Sequence, residues 1–258
     1  MLEINKIHYG DCLNLMQYID DKSIDMILAD LPYGLTNQNK WDEIILFKPL
    51  WEHYERIIKD NGSIVLTASQ PFTSMLVMSN IKLFKYSLVW EKTTSTGFLN
   101  AKKMPLRIHE DILVFYKSLP TYNPQKTKGH KPVHSYTKHT SDGTNYGNTK
   151  VGIKGGGSTE RYPTSILKFA TDKQKSALHP TQKPVALMEY LIKTYTNEGD
   201  LVLDNVAGSG SVGVACIDTK RNFILIEKEE KYYEVSEKRI LAAKWIKEAK
   251  KLFLRINN

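Results

Sequence analysis

Asp30 and Asp204 each end an apolar run and open a short loop made of turn-forming residues. Asp30 follows Ile24-Asp25-Met26-Ile27-Leu28-Ala29 and begins Asp30-Leu31-Pro32-Tyr33. Asp204 follows Leu201-Val202-Leu203 and begins Asp204-Asn205-Val206-Ala207-Gly208-Ser209-Gly210. The first loop offers a carboxylate, a backbone carbonyl at Leu31 or Pro32, and the aromatic face of Tyr33. Those groups suit a flat ring that carries an amine. An exocyclic ring amine is a poor nucleophile because its lone pair is delocalised into the ring. Two fixed acceptors on its hydrogens hold the nitrogen so that the lone pair localises, and they stabilise the positive charge that develops during attack. An aromatic face gives an extruded base somewhere to stack. The plainer alternative is a strand-end turn that Asp30 caps and Pro32 stiffens.

The second loop supports different chemistry. Gly208 and Gly210 let backbone N–H groups approach a ligand where a Cβ would collide. Glu227 lies 23 residues after Asp204, at the end of the next apolar run, Phe223-Ile224-Leu225-Ile226. A carboxylate there can accept both hydroxyl protons of a ribose. The loop lacks the third glycine of a dinucleotide fingerprint and the Gly-Lys-Ser/Thr ending of a phosphate loop. A ribose-bearing cofactor without a pyrophosphate fits it, and S-adenosylmethionine is the common one. A bare Gly-x-Gly also marks many tight turns, so the order of strand, loop, helix and Glu227 carries this reading. A chain with both loops is most simply an enzyme that moves a methyl group onto a base amine.

Alternating strands and helices must position these loops. Leu46, Phe47, Leu50, Trp51, Tyr54, Ile57 and Ile58 recur at helical spacing, and Asn61-Gly62 is expected to close that helix. Ser63–Thr67, Leu88–Trp90 and Ile112–Phe115 read as strands, with a helix from Pro71 between the first two. Pro184 suits the first position of a helix that buries Leu187, Leu191 and Ile192. A helix through Val212, Val214 and Ala215 follows the glycine loop, and a long basic amphipathic helix ends the fold. This order predicts an α/β fold, Rossmann-like and doubly wound, with a mainly parallel sheet. Residues 1–117 and 177–258 are expected to form the catalytic domain, with 118–176 as an inserted region. That insert is polar, is broken by Gly129, Gly143, Gly147, Gly152 and Gly155-Gly156-Gly157, and is too long for an ordinary connection.

Composition narrows the partners. The net charge of +8 is concentrated: Lys117–Lys183 hold 11 Lys and one Arg against three acidic residues, leaving 24 basic against 25 acidic residues elsewhere. A localised basic patch interleaved with Tyr116, Tyr122, Tyr136, Tyr146, Tyr162 and Phe169 points to a polyanion. No run approaches 18 apolar residues and no apolar leader opens the chain, so a cytoplasmic protein with no membrane partner is expected. Cys12 and Cys216 have no cysteine nearby, which argues against a disulfide framework or zinc site. His130, His134 and His139 lack ligand spacing and read as polar or phosphate-facing, so no metal is expected. Asp11 precedes Cys12 and Ala215 precedes Cys216, so neither cysteine follows a proline, which speaks against covalent carbon-5 methylation.

With these residues in place, the chain resembles the DNA amino-methyltransferases that modify adenine N6 or cytosine N4 and share an Asp/Asn/Ser-Pro-Pro-Tyr/Phe tetrapeptide. It is similar to their beta group, in which the tetrapeptide precedes the cofactor loop and a target-recognition region lies between them. His8-Tyr9-Gly10-Asp11-Cys12 resembles the element whose Asp lies near the cofactor adenine. His179-Pro180-Thr181-Gln182-Lys183-Pro184 resembles the element whose Lys approaches the cofactor carboxylate. The resemblance implies Asp30, Leu31, Pro32 and Tyr33 as catalytic residues. It also implies cofactor contacts from Asp11, Lys183, Pro184, Asp204, Asn205, Ala207, Gly208, Ser209, Gly210 and Glu227. Two departures stand out: Leu31 replaces the first proline, and Asn205-Val206 replaces Pro-Phe in the cofactor loop. The residue before Pro32 is still held extended, so the loop shape is expected to survive. Asp as the first tetrapeptide residue favours adenine N6 in double-stranded DNA over cytosine N4. A catalytically inactive DNA-binding protein of the same fold is the rival from another class. Target sequence, a companion restriction nuclease and a homodimeric state are left open.

Overall fold

The computed structural model describes residues 2–34, 43–137, 154–172 and 182–256. Its larger compact unit comprises Met1–Asn123 and Ser165–Asn258, and its smaller one Pro124–Thr164.

In the larger unit, strands whose residues are apolar on both sides sort them by the period-2 pleat onto two faces. In β2 (Ile24–Ala29) and β3 (Ile58–Ala68), Ile27, Ala29, Ile64 and Leu66 turn to one face. There they meet α1 (Cys12–Met16), α2 (Phe47–Ile57) and α3 (Phe72–Ser79) through Met16, Leu50, Tyr54 and Phe72. Met26, Leu28 and Val65 turn to the other face. They meet α4 (Val185–Tyr195), α5 (Ser211–Thr219) and α6 (Glu230–Ile256) through Leu187, Leu191, Val212 and Ile240. Helices on both faces account for the near-continuous apolar runs.

The remaining strands are β1 (Lys6–Tyr9), β4 (Phe84–Thr96), β5 (Arg107–Phe115), β8 (Ile166–Phe169), β9 (Leu201–Asp204) and β10 (Asn222–Glu227). The eight-stranded sheet runs β1-β10-β9-β2-β3-β5-β4-β8, parallel except for β5, which is antiparallel to β3 and β4. From β2 the chain winds outward to β3, and from β9 it winds the opposite way to β10. The β9–β2 junction is therefore the topological switch point, where α/β sheets bind ligands beyond the carboxyl ends of their strands. Asp204 and Asp30 end those two strands, and Glu227 and Gly10-Asp11 end or follow the next two.

Three details differ from the sequence expectation. Asn61-Gly62 does not close α2, which ends at Ile57; the pair lies inside β3, beside a register shift between Ile24 and Met26. A Cβ on Gly62 would sit 2.9 Å from the Asp25 carbonyl, so glycine serves strand packing there. Residues 166–169, expected within the insert, pair parallel with β4 as its edge strand. Leu167 is buried and Phe169 packs beside it, which ties them to the larger unit. Four residues amid polar sequence are too few to display a period. Tyr116, expected in the basic patch, likewise packs against this core.

The smaller unit carries β6 (Tyr136–Thr137) paired antiparallel with β7 (Lys154–Gly155), and a bridge between Thr127 and Arg161. Lys126, Lys128, Lys131, Lys154, Tyr136 and Tyr162 are exposed on it. His130 Nε2 lies 2.6 Å from Thr127 Oγ1. Tyr146, His139, Gly143, Gly147 and Gly152 fall outside the described residues.

Candidate active site

A cavity of about 580 Å³ opens beyond the carboxyl ends of the central strands, a volume suited to small-molecule and cofactor binding. Asp30, Leu31, Pro32 and Tyr33 all line it, as do Asp204, Gly208 and Glu227. The two loops therefore share one space.

Asp30 is held from three sides. Its Oδ1 accepts hydrogen bonds from the Tyr33 hydroxyl at 2.7 Å and Thr67 Oγ1 at 2.5 Å. Its Oδ2 accepts from Lys183 Nζ at 2.6 Å. The same Nζ lies 3.1 Å from Glu110 Oε2, and Glu110 Oε1 pairs with Lys92. Two carboxylates and two ammonium groups thus alternate in a neutral chain. Burial alone would lower the Lys183 pKa, but Asp30 and Glu110 outweigh it and the net shift is upward. Burial would raise the Glu110 carboxyl, but Lys183 and Lys92 outweigh it and the net shift is downward. Lys183 therefore stays protonated and Glu110 ionised at neutral pH. Burial first, then the Asp30 and Glu110 charges, push the Tyr33 phenol well above its usual range, so it stays a donor. The Tyr33 ring stacks on Phe72 with centroids 5.2 Å apart.

Among the described residues, no cation pairs with the carboxylates of the glycine-loop side. Asp204 accepts the Val206 N–H, at 3.1 Å, and burial raises its pKa to about 8. Glu227 accepts the Gly208 N–H at 2.7 Å and the Glu229 N–H at 2.8 Å. Burial outweighs those bonds and raises this carboxyl as well. Each Glu227 oxygen retains a second lone pair for a ligand hydroxyl. Arg239 of α6 pins the loop through the Ser209 carbonyl at 3.0 Å and Ser211 Oγ at 3.1 Å. The Gln182 amide lines the cavity, is buried, and has no hydrogen-bond partner among the described residues. A buried amide of this kind calls for a ligand with both donors and acceptors, as a nucleoside cofactor has.

Several expected site residues do something other than first read. Gly210 does not line the cavity: its φ is +76°, and a Cβ there would lie 2.3 Å from Ser236 Oγ. Its missing side chain admits α6 rather than a ligand. Pro184 precedes α4 and also lies off the cavity. Asp11 lines the cavity while capping α1 through the Asn14 N–H at 3.1 Å. Asn205, Ala207 and Ser209 line it too, but Asn205 Oδ1 is engaged by the Tyr54 hydroxyl at 2.6 Å. The resemblance put Lys183 beside the cofactor's carboxylate; in the structure it lines the cavity and its ammonium pairs with Asp30 and Glu110. Leu31 is buried in the core below the loop, so the departure from proline is filled by packing. His179, Pro180 and Thr181 lie outside the described residues. Sequence reasoning missed Thr67, Lys92 and Glu110. Thr67 stands alone in an apolar run, and Lys92 and Glu110 each lie in a polar stretch of their strands, so no local pattern marks them.

A switch-point cavity with a carboxylate-and-aromatic loop beside a glycine turn defines a Rossmann-like group-transfer enzyme. Residues 24–238 match the DNA methylase family, and the chain belongs to that family. It is 29% identical over 256 residues to the DNA adenine methyltransferase YhdJ of Escherichia coli K12, covering 92% of this chain and 83% of that protein. It is also 29% identical to the Type II methyltransferase M2.MboI of Moraxella bovis, covering 90% and 86%. Among solved structures, the M1.HpyAVI–SAM complex is similar, with a TM-score of 0.61, 24% identity and coverage of 91% and 98%. The cytosine-N4-specific PvuII DNA methyltransferase aligns with a TM-score of 0.63 and 15% identity over 92% and 90%, a likeness of fold. No helix among the described residues is long and apolar enough to cross a membrane.

Proposed function

We propose that this chain methylates the N6 amine of a flipped adenine in double-stranded DNA with S-adenosylmethionine, in the cytoplasm. The observation that carries the reading is the convergence of Asp30 and the Gly208 turn on one cavity. The cofactor, when bound, supplies an electrophilic methyl group on a sulfonium. Glu227 receives the ribose hydroxyls, and Asp11, Asp204 and the backbone around Gly208 line the nucleoside. Oδ1 of Asp30 is filled by two hydroxyls and Oδ2 by one ammonium, which leaves one lone pair on Oδ2 for an amine N–H. The carbonyl of Leu31 or Pro32 accepts the other amine hydrogen, and Tyr33, backed by Phe72, forms the aromatic wall. Lys183 keeps Asp30 an acceptor, so the carboxylate orients the amine and stabilises charge on it. The exposed lysines and tyrosines of residues 124–164 take phosphates and bases as the target-recognition region. Asp as the tetrapeptide's first residue, together with relatives named adenine methyltransferases, supports adenine over cytosine.

The test is nucleoside analysis of duplex DNA incubated with the protein and the methyl donor. N6-methyladenine is the expected product; N4-methylcytosine would overturn the choice of base, and no methylated base would favour the non-catalytic rival. Asp30→Ala should lower methyl transfer by at least roughly 100-fold while calorimetry still detects cofactor binding. Full activity in that variant would remove Asp30 from the chemistry.

A further inference from the structure

Neither Glu110 nor Lys92 adjoins either loop in sequence, yet both line the cavity and both are part-buried, with side chains 15% and 12% exposed. They sit on the antiparallel pair β4–β5, where Trp90 is in register with Glu110 and Lys92 follows two residues along. Lys183 reaches the same point from just before α4, with its side chain 8% exposed. A lysine facing one carboxylate can swing about its long stem. A second carboxylate, 3.1 Å from the same Nζ, fixes it from another direction. Lys92 occupies the other Glu110 oxygen, which keeps Glu110 from drawing Lys183 away from Asp30. Buried ion pairs contribute little net stability against apolar packing, so a four-membered one beside the proposed amine acceptor calls for another reason.

We propose that Glu110 and Lys92 are positioning residues for methyl transfer: Glu110 holds the Lys183 ammonium against Asp30, and Lys92 holds Glu110. This assignment rests on Asp30 being the group that receives the amine. The charged and titratable groups facing Lys183 are Asp30 beyond β2, Glu110 on β5 and the Tyr33 ring, 5.6 Å away. Lys92 on β4 acts across Glu110, and the Asp30 charge in turn raises Asp204 at the end of β9. The Glu110 charge raises the Lys183 pKa and the Lys92 charge offsets part of Glu110. The two substitutions should therefore move Lys183 in opposite directions.

The experiment labels lysines with carbon-13 at Cε, assigns Lys183 by its loss in Lys183→Arg, and follows its titration by NMR beside the pH dependence of kcat. In Glu110→Gln, Lys183 should lose its proton about one pH unit or more below the wild-type midpoint. The alkaline limb of kcat should move with it, and kcat at neutral pH should fall roughly 100-fold with KM for the cofactor unchanged. Glu110→Asp should recover part of both effects. Lys92→Gln should leave the Lys183 midpoint at or above the wild-type value while kcat still falls. A Lys183 midpoint unmoved in Glu110→Gln, or a uniform loss of kcat with an unshifted pH profile, would overturn the assignment. Absence of methyl transfer by the wild-type protein would instead fell the reading of Asp30.

Discussion

Asp30 and Asp204 stand at the ends of neighbouring parallel strands, yet the first meets an ammonium and two hydroxyls while the second is buried and accepts one backbone N–H among the described residues. On one side of the cavity the lysines hold Glu110 ionised and balance the carboxylate charge. Burial favours the neutral carboxyl on the other, with Asp204 raised to about 8. The difference fits the two roles proposed for them. A carboxylate that must orient an amine and stabilise positive charge needs a fixed negative charge. A loop that receives a nucleoside can rely on backbone groups and near-neutral acceptors.

The contrast is broken most severely by removing the shared cation. Lys183→Met leaves Asp30 and Glu110 facing one another across a buried site without the ammonium between them. Methyl transfer should be lost, and chemical denaturation should show a loss of about 3 kcal/mol. Stability unchanged in that variant would mean that water screens the site as well as lysine does.

The Asp204 side is sharpened by pH. Its carboxyl holds a proton in the folded state up to about pH 8 and releases it near the usual carboxylate value when unfolded. The folded protein therefore binds more protons between those limits, and stability should fall as pH rises through that window, by on the order of a few kcal/mol. Asp204→Asn should flatten the slope. A wild-type stability that instead climbs across the window would show that Asp204 is ionised in the fold.

The smallest effect is expected at Thr67. Thr67→Val removes one of two hydroxyl donors to Asp30 Oδ1 and leaves the Lys183 pair intact. The expected cost is about 1 kcal/mol of stability and a fall in kcat of roughly tenfold, read by denaturation and steady-state kinetics. A larger loss than in Lys183→Met would reverse the order of importance of hydroxyl and ammonium.

What could be read along the chain was whatever is local. Asp30, Tyr33, Gly208 and Glu227 stand at or just beyond strand ends because largely apolar runs of three to six residues stop there. Their convergence follows from parallel strands exposing their carboxyl ends on one edge. The basic middle segment was legible from charge alone. Sequence reasoning gave Gly210 a ligand-facing part that the close approach of α6 has taken, and it read Asn61-Gly62 as a helix end because that dipeptide is a strong local turn signal.

The sequence by itself thus determined the order of strands and helices, the two loops and the class of chemistry they support. Only the tertiary structure decided that Lys183 lies on Asp30 rather than apart from it, and that Glu110 and Lys92 complete the charge chain. Asp30 and Lys183 are 153 residues apart, and Asp30 and Thr67 are 37 apart. Such pairs are set by strand register and by where α4 packs on the sheet, neither of which leaves a periodic trace. Ionisation in the cavity was out of reach for the same reason, because it depends on which charges burial brings within a few ångströms of one another.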